Sequence, residues 1–202
     1  MKIPEHKVFI SYRHGNDQAY KGELIKSDIF IDASVDTGDI DERLSDQTIR
    51  QKIRDEYLKD SSVTIVLVGT ETKNRKHVDW EIYSSMYDGQ VNKKSGVLVI
   101  NLPSTGCTTV IAAHGDGEKK AIYPSVSNWV PIKNRSDFDK LYPFMPSRII
   151  DNLLKNGAKV SVTNWNYIAD DAQKLKLLID LTYKDRAGCD YDLSTPMRRS
   201  NS

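Results

Sequence analysis

The segment SSVTIVLVG, residues 61–69, decides the fold class of this chain of 202 residues. It is nearly continuous in apolar and β-branched residues and lacks the polar alternation of a strand with one wet face. It therefore predicts a central parallel strand covered on both sides. The loop GTETKNRKH leads on to KHVDWEIYSSMYDG, residues 76–89. That stretch predicts a helix over Val78–Tyr87, stopped by the turn signal Asp88-Gly89. GVLVIN, residues 96–101, reads as a second buried strand. On the upstream side, Leu44–Asp60 carries Ile49, Ile53 and Tyr57 at four-residue spacing among charges, the pattern of an amphipathic helix lying on a sheet.

The same alternation extends to both ends. KVFISY, residues 7–12, predicts a strand that stops at the turn-prone RHGND; Asp17 can cap a helix through Ile25. IFIDAS, residues 29–34, predicts a strand entering an acidic loop with Asp36, Asp39, Asp41 and Glu42. NWVPI, residues 128–132, predicts a short fifth strand, placed at an edge by its proline. Strands alternating with helices imply βαβ units, hence an α/β fold whose mostly parallel five-stranded sheet has helices on both faces. The excursion 102–127, rich in glycine and proline, reads as a functional or mobile loop. After residue 132 the pattern gives a helix near Pro146–Leu154, a strand-like KVSVTNW at 159–165 and an amphipathic helix over Tyr167–Tyr183. The chain thus divides into a single domain at 1–187, with a core at 5–132 and a C-terminal helical extension at 133–187. Residues 188–202 read as a disordered tail.

Composition excludes several function classes. The chain is 39% hydrophobic and 28% charged, with a formal net charge of +1 and basic residues interleaved with acidic ones. Nothing in this pattern forms a surface for nucleic acid, and no apolar run is long enough for a membrane span. The first residues lack the features of a secretory signal, and Cys107 and Cys189 sit in unrelated contexts, so the expected compartment is the cytoplasm. There is no GxGxxG after the first strand, no P-loop, and no aspartate at the end of the third strand, where Val68-Gly69-Thr70 stands. His77 and Glu81 lie four apart without a second histidine, so no metal site is expected.

In open parallel sheets ligands bind outside the carboxyl ends of the strands, so the loops after Tyr12, Ala33, Val68 and Asn101 should share one rim. Glu81, one turn into the third-strand helix, is the candidate catalytic carboxylate. Phe9, Ser11, Tyr12, Arg13, Asp32 and Trp80 are the candidate substrate contacts, and His114 is a candidate lid residue in the long excursion. Each has a plainer reading. Glu81 complements the helix dipole, Trp80 packs, Asp32 caps a turn, and Phe9, Ser11 and Tyr12 are strand residues.

KVFISY, IFIDAS with its acidic loop, and SSVTIVLVGTETKNRKHVDWEI occur in an order and spacing that resemble the TIR-like family, in particular the bacterial TIR-like proteins of Thoeris antiphage systems. The resemblance covers residues 5–101. It implies a flavodoxin-like fold and cleavage of NAD+ at the nicotinamide–ribose bond, with Glu81 as the family's glutamate. NAD+ is then substrate, with no separate cofactor. Trp80 would wall the nucleotide site, and Arg13 and His14 would meet the pyrophosphate. The product would be a cyclic ADP-ribose-type or ADP-ribose-conjugate signal acting on a separate effector protein, with assembly of copies on activation. The chemistry suits a lone carboxylate, because nicotinamide leaves without being protonated and an ionised Glu81 can stabilise the oxocarbenium-like ribose. Two alternatives stay open: a non-enzymatic TIR-like interaction module, and a nucleoside 2-deoxyribosyltransferase-like enzyme that uses its glutamate as a covalent nucleophile.

Overall fold

The structure is a computed structural model that describes residues 6–34, 40–129 and 131–201; Asp36 and Asp39 of the acidic loop lie outside the described residues. Its elements in chain order are β1 (Lys7–Ser11), α1 (His14–Lys26), β2 (Ile31–Asp32), α2 (Asp46–Lys52), β3 (Val63–Val68), α3 (Lys76–Met86), β4 (Gly96–Asn101), α4 (Asp116–Ile122), α5 (Arg135–Leu141), α6 (Ser147–Leu154), β5 (Ser161–Asn164) and α7 (Ala172–Asp185). The five strands form one sheet in the order β2-β1-β3-β4-β5, and every ladder is parallel. This is the flavodoxin-like order, in which the winding reverses between β1 and β3.

All six residues of β3 and all six of β4 are buried. Val63, Ile65 and Leu67 point into one core with Leu24 of α1 and Leu175, Leu178 and Ile179 of α7. Val66 and Val68 point the other way, onto Val78, Ile82 and Met86 of α3 and Ile149 and Ile150 of α6. A third cluster on that second side joins Phe9 to Ile49, Ile53 and Trp80. Each fully buried aliphatic side chain stabilises by about 1.5–3 kcal/mol, against about 1 kcal/mol net for a hydrogen bond. Two-sided apolar packing, more than the ladder, therefore holds β3 at the centre.

Local signals explain most boundaries. Ser45 accepts the amide of Thr48 and so opens α2, which continues into one π turn at Ile53–Tyr57. Asp171 accepts the amides of Gln173 and Lys174 and opens α7. Gly96 is required where α7 crosses the start of β4, since a Cβ there would lie 2.5 Å from the Thr182 carbonyl oxygen.

Four expectations need correction. Asp17 does not cap α1: the helix starts earlier, with Arg13 at its N-cap, and Asp17 is buried in the first turn. The strand expected over 29–34 contracts to Ile31–Asp32, an exposed edge, because Phe30 turns into the core instead of continuing the ladder. The fifth strand is not NWVPI. Asn128, Trp129, Pro131 and Ile132 are not in a strand, Val130 lies outside the described residues, and Trp129 is drawn to the Val126 carbonyl by its indole N–H, 3.1 Å. The fifth place belongs to Ser161–Asn164, all four residues buried and inside the strand-like stretch expected at 159–165, so the extension completes the sheet.

The tail expected to be disordered is packed as well. Cys189, Tyr191 and Met197 are buried, and the backbone between them is held by side chains of α6. Asn152 pairs with both main-chain groups of Asp192, and Arg148 donates to the carbonyls of Thr195 and Pro196. The short polar residues around Ser194, Thr195 and Pro196 concealed a segment whose polar backbone is satisfied by partners remote in sequence.

Candidate functional site

The site is built where the sheet order reverses. Ser11 ends β1, and its side chain points to the face covered by α3. Glu81, in the second turn of α3, faces inward, and its Oε2 accepts the Ser11 hydroxyl at 2.6 Å. The glutamate is 4% exposed. Burial pushes its pKa up to about 7, against the opposing pull of the Ser11 hydrogen bond and the nearby charge of Lys21. A carboxyl this deep, bonded to one hydroxyl and within the field of one cation, is pushed into the range where a catalytic group is used.

α1 supplies the opposite wall. Asp17, Lys21 and Leu24 are its buried residues, at i, i+4 and i+7, so a stripe that would normally be apolar carries two charges. Asp17 reaches the end of β3: a Cβ on Gly69 would stand 2.7 Å from both of its carboxylate oxygens. Burial raises the Asp17 pKa, opposed by Arg13 and reinforced by Glu71. Lys21 also holds its ammonium 5.3 Å from the centre of the Tyr12 ring. Asp17 and Lys21 are site residues that reading by motif misses; the signal for them was the charged stripe on α1.

The other candidates divide. Tyr12 is buried, stacked on His14 with ring centres 4.4 Å apart, and its hydroxyl donates to Gln18 Oε1. Arg13 stands on the rim, where its Nε donates to Glu71 Oε2 at 3.1 Å and Arg75 donates to the same oxygen. Hydrogen bonds from Asn16, Arg75 and Arg13 hold the Glu71 carboxyl below its ordinary range. The structure thus gathers Ser11, Tyr12, Arg13 and Glu81 at one end of β1. Phe9 and Trp80 face elsewhere, into the apolar cluster under α2, and the Trp80 indole N–H donates to the Arg198 carbonyl at 2.7 Å. At 1% exposure Trp80 is a packing residue in this structure. Asp32 is exposed on the edge strand and accepts the Ser34 amide at 2.9 Å, the turn-capping role.

The excursion 102–127 is tied to β5 and α7. Ile111 forms an antiparallel bridge with Val162 of β5. The His114 imidazole, 1% exposed, sits between Asp185 Oδ2 at 2.9 Å and Thr182 Oγ1 at 3.3 Å. It ties the excursion to α7 and is no lid residue. A cavity of about 810 Å³ opens beside it, lined by Val110, Ile111, Trp129, Phe138 and Leu153 among others. Lys119 is the one titratable residue in that lining, and β1 and α3 contribute nothing to it, so the cavity is separate from the Glu81 site.

Comparison with protein families agrees with this geometry. Residues 9–106 match the family described as Thoeris protein ThsB, TIR-like domain. These residues carry a TIR-like domain of the ThsB type. The match runs from β1 to just beyond β4, so the ThsB-type segment contains Ser11, Asp17, Lys21 and Glu81 but not β5 or α7. The search of curated proteins found no match. Among the described residues, no helix is long and apolar enough to cross a membrane.

Proposed function

We propose that this TIR-like protein of the Thoeris family cleaves NAD+ at the nicotinamide–ribose bond, with Glu81 as the catalytic carboxylate. One observation carries the reading: the only acid on the inward face of α3 is buried at the point where the sheet order reverses, bonded to the last residue of β1. Burying a carboxyl and an ammonium costs folding free energy, and an interaction module has no use for such a cluster beneath its surface.

The reaction needs little else. The C1′–N bond to the nicotinamide breaks with both electrons going to the ring, which leaves as a neutral base. Positive charge then develops on the ribose, and the ionised Glu81 carboxylate stabilises it in a site of low dielectric. Ser11 holds that carboxylate in one rotamer by its 2.6 Å hydrogen bond, and the Lys21 charge favours its ionised form. Arg13 on the rim, at the end of β1, is the candidate cation for the pyrophosphate. If water attacks C1′, ADP-ribose forms and one proton is released. If a nitrogen or hydroxyl of the same nucleotide attacks, the product is a cyclic ADP-ribose-type signal. That product would act on a separate effector protein, and copies of the chain would assemble on activation.

The test is incubation of purified protein with NAD+, with and without extract of phage-infected cells, followed by chromatographic separation of nucleotides. Nicotinamide should appear with wild type and fall by about 10³-fold or more in Glu81→Gln, the scale of losing a principal electrostatic group. Equal turnover by the two proteins, or none from either in both conditions, would overturn the assignment.

A further inference from the structure

The two faces of α3 do different work. Val78, Glu81 and Ile82 turn inward to the sheet, while Lys76, Asp79, Trp80 and Tyr83 lie on the outer side, in keeping with helical spacing. That outer side is covered by residues 195–201. The Asn201 side-chain oxygen accepts the Lys76 amide at 2.9 Å, in the first turn of α3. Asp79 accepts the Arg198 amide at 2.8 Å, and Trp80 donates its indole N–H to the Arg198 carbonyl at 2.7 Å. Arg148 of α6 binds Asp79 through two N–H groups, at 2.8 and 3.0 Å, and uses its remaining donors on the Thr195 and Pro196 carbonyls. Beyond α3, Arg199 donates to the carbonyls of Glu42 and Leu44 at 3.1 and 3.0 Å, so the segment also grips the approach to α2.

We infer that residues 195–201, with Arg148, form a positioning strap for Glu81. The strap holds three outer-face residues within the two turns that carry Glu81 inward, and so sets the depth and rotation at which that carboxylate meets Ser11. These contacts reach no substrate; they act through the helix. The inference rests on the reading of Glu81 as the NAD+-cleaving group, and its geometric part stands on the contacts alone. A misplacement of about 1 Å at a reacting centre can lower a rate by about 10²-fold, so a strap that shifts α3 by a fraction of this matters to turnover.

The experiment uses the full-length chain with Arg199→Ala and Asn201→Ala combined, and with Trp80→Phe as a second variant that keeps an aromatic ring in the apolar cluster but removes the indole N–H along with part of the ring. Amide hydrogen exchange over Lys76–Glu81 should quicken by about tenfold. The turnover number for NAD+ should fall by about tenfold while KM changes less than about threefold, and the pH midpoint assigned to Glu81 should move, because the Ser11 hydrogen bond that holds it is loosened. Asn201→Asp, which can still accept the Lys76 amide, should behave as wild type. Unchanged exchange, midpoint and turnover would overturn the strap. So would a lower melting temperature with midpoint and turnover unmoved, which is the signature of a purely structural segment. If the wild-type chain releases no nicotinamide, the NAD+ reading fails by itself. The strap is then decided by exchange together with the Glu81 midpoint, read from the 13C carboxyl resonance in the same variants.

Discussion

Ser11 Oγ donates to Glu81 Oε2 across 2.6 Å, joining the last residue of β1 to the second turn of α3 in a setting where both residues are buried. A hydrogen bond to a charged group is worth about 1.5–3 kcal/mol, and it favours the ionised carboxylate. Ser11→Ala should therefore raise the pH midpoint of Glu81 by about one to two units, at 1.36 kcal/mol per unit. NAD+ cleavage at pH 7 should drop accordingly and recover at higher pH. A pH profile of kcat/KM for the two proteins checks this, and an unshifted midpoint would disconnect Ser11 from the site.

Glu81→Gln should be inactive yet more stable, with a defined pH dependence. The carboxyl titrates near 4.5 when unperturbed and at about 7 in the folded chain. Below the lower value both states hold the proton and the residue contributes nothing. Between the two values the unfolded chain ionises first, so wild-type stability falls as pH rises, and above about 7 the full penalty of about 3 kcal/mol is present. The glutamine carbonyl can still accept from Ser11 but never charges. Denaturant unfolding should show the stability gain of Glu81→Gln growing from pH 4.5 to 7 and then levelling.

Asp79 and Arg148 form a bidentate pair with the arginine side chain 1% exposed. Removing one partner leaves a buried charge unpaired and should cost about 3–5 kcal/mol. Asp79→Ala and Arg148→Ala should each destabilise by that amount in urea unfolding, and the double variant by much less than their sum. Arg148→Lys should not rescue, since an ammonium cannot make two parallel bonds to Asp79 while also serving the Thr195 and Pro196 carbonyls.

Gly69→Ala would drive a methyl group to 2.7 Å from both oxygens of Asp17, a carboxylate that is itself 4% exposed. The expected loss is about 1–3 kcal/mol, as for other overpacked sites. Asp17→Ala in the same chain should restore most of it. A double-mutant cycle by thermal unfolding measures that coupling, and additive losses would show that Asp17 does not press on the end of β3.

The sheet was legible from β3 outward because residues 63–68 and 96–101 are buried on both faces and carry no alternation to mislead. That Ser11 and Glu81 stand at one rim was legible from the end of β1 and the start of the helix after β3, and HVDWEI tied Glu81 to the family pattern. Asp17 was assigned to a cap because aspartate is a favoured N-cap residue ahead of a helix. That its position falls on the same stripe as Lys21 and Leu24 becomes meaningful only when the stripe is known to be buried. Pro131 and Ser161–Asn164 competed for the fifth strand, and the pattern of β-branched residues in NWVPI could not show that its neighbours would turn away. The strap was illegible because its partners, Lys76, Asp79, Trp80 and Arg148, are far away in the chain and its own residues are short and polar.

β5 pairs with β4 from Leu98↔Ser161 to Asn101↔Asn164, across an excursion of helices and loops, and it lies outside the stretch that matches the ThsB family. This has a consequence for synthesis and folding. Until Ser161–Asn164 arrives, Gly96–Asn101 is an open edge of unpaired backbone N–H and C=O groups on a largely apolar strand, the kind of surface that recruits strands from other chains. A polypeptide stopped at residue 106 would keep that edge permanently and should aggregate, whereas the intact chain closes it late, after a long loop has been drawn together. Residues beyond the recognised family segment thus act during folding as the chain's own protection against sticking to its copies.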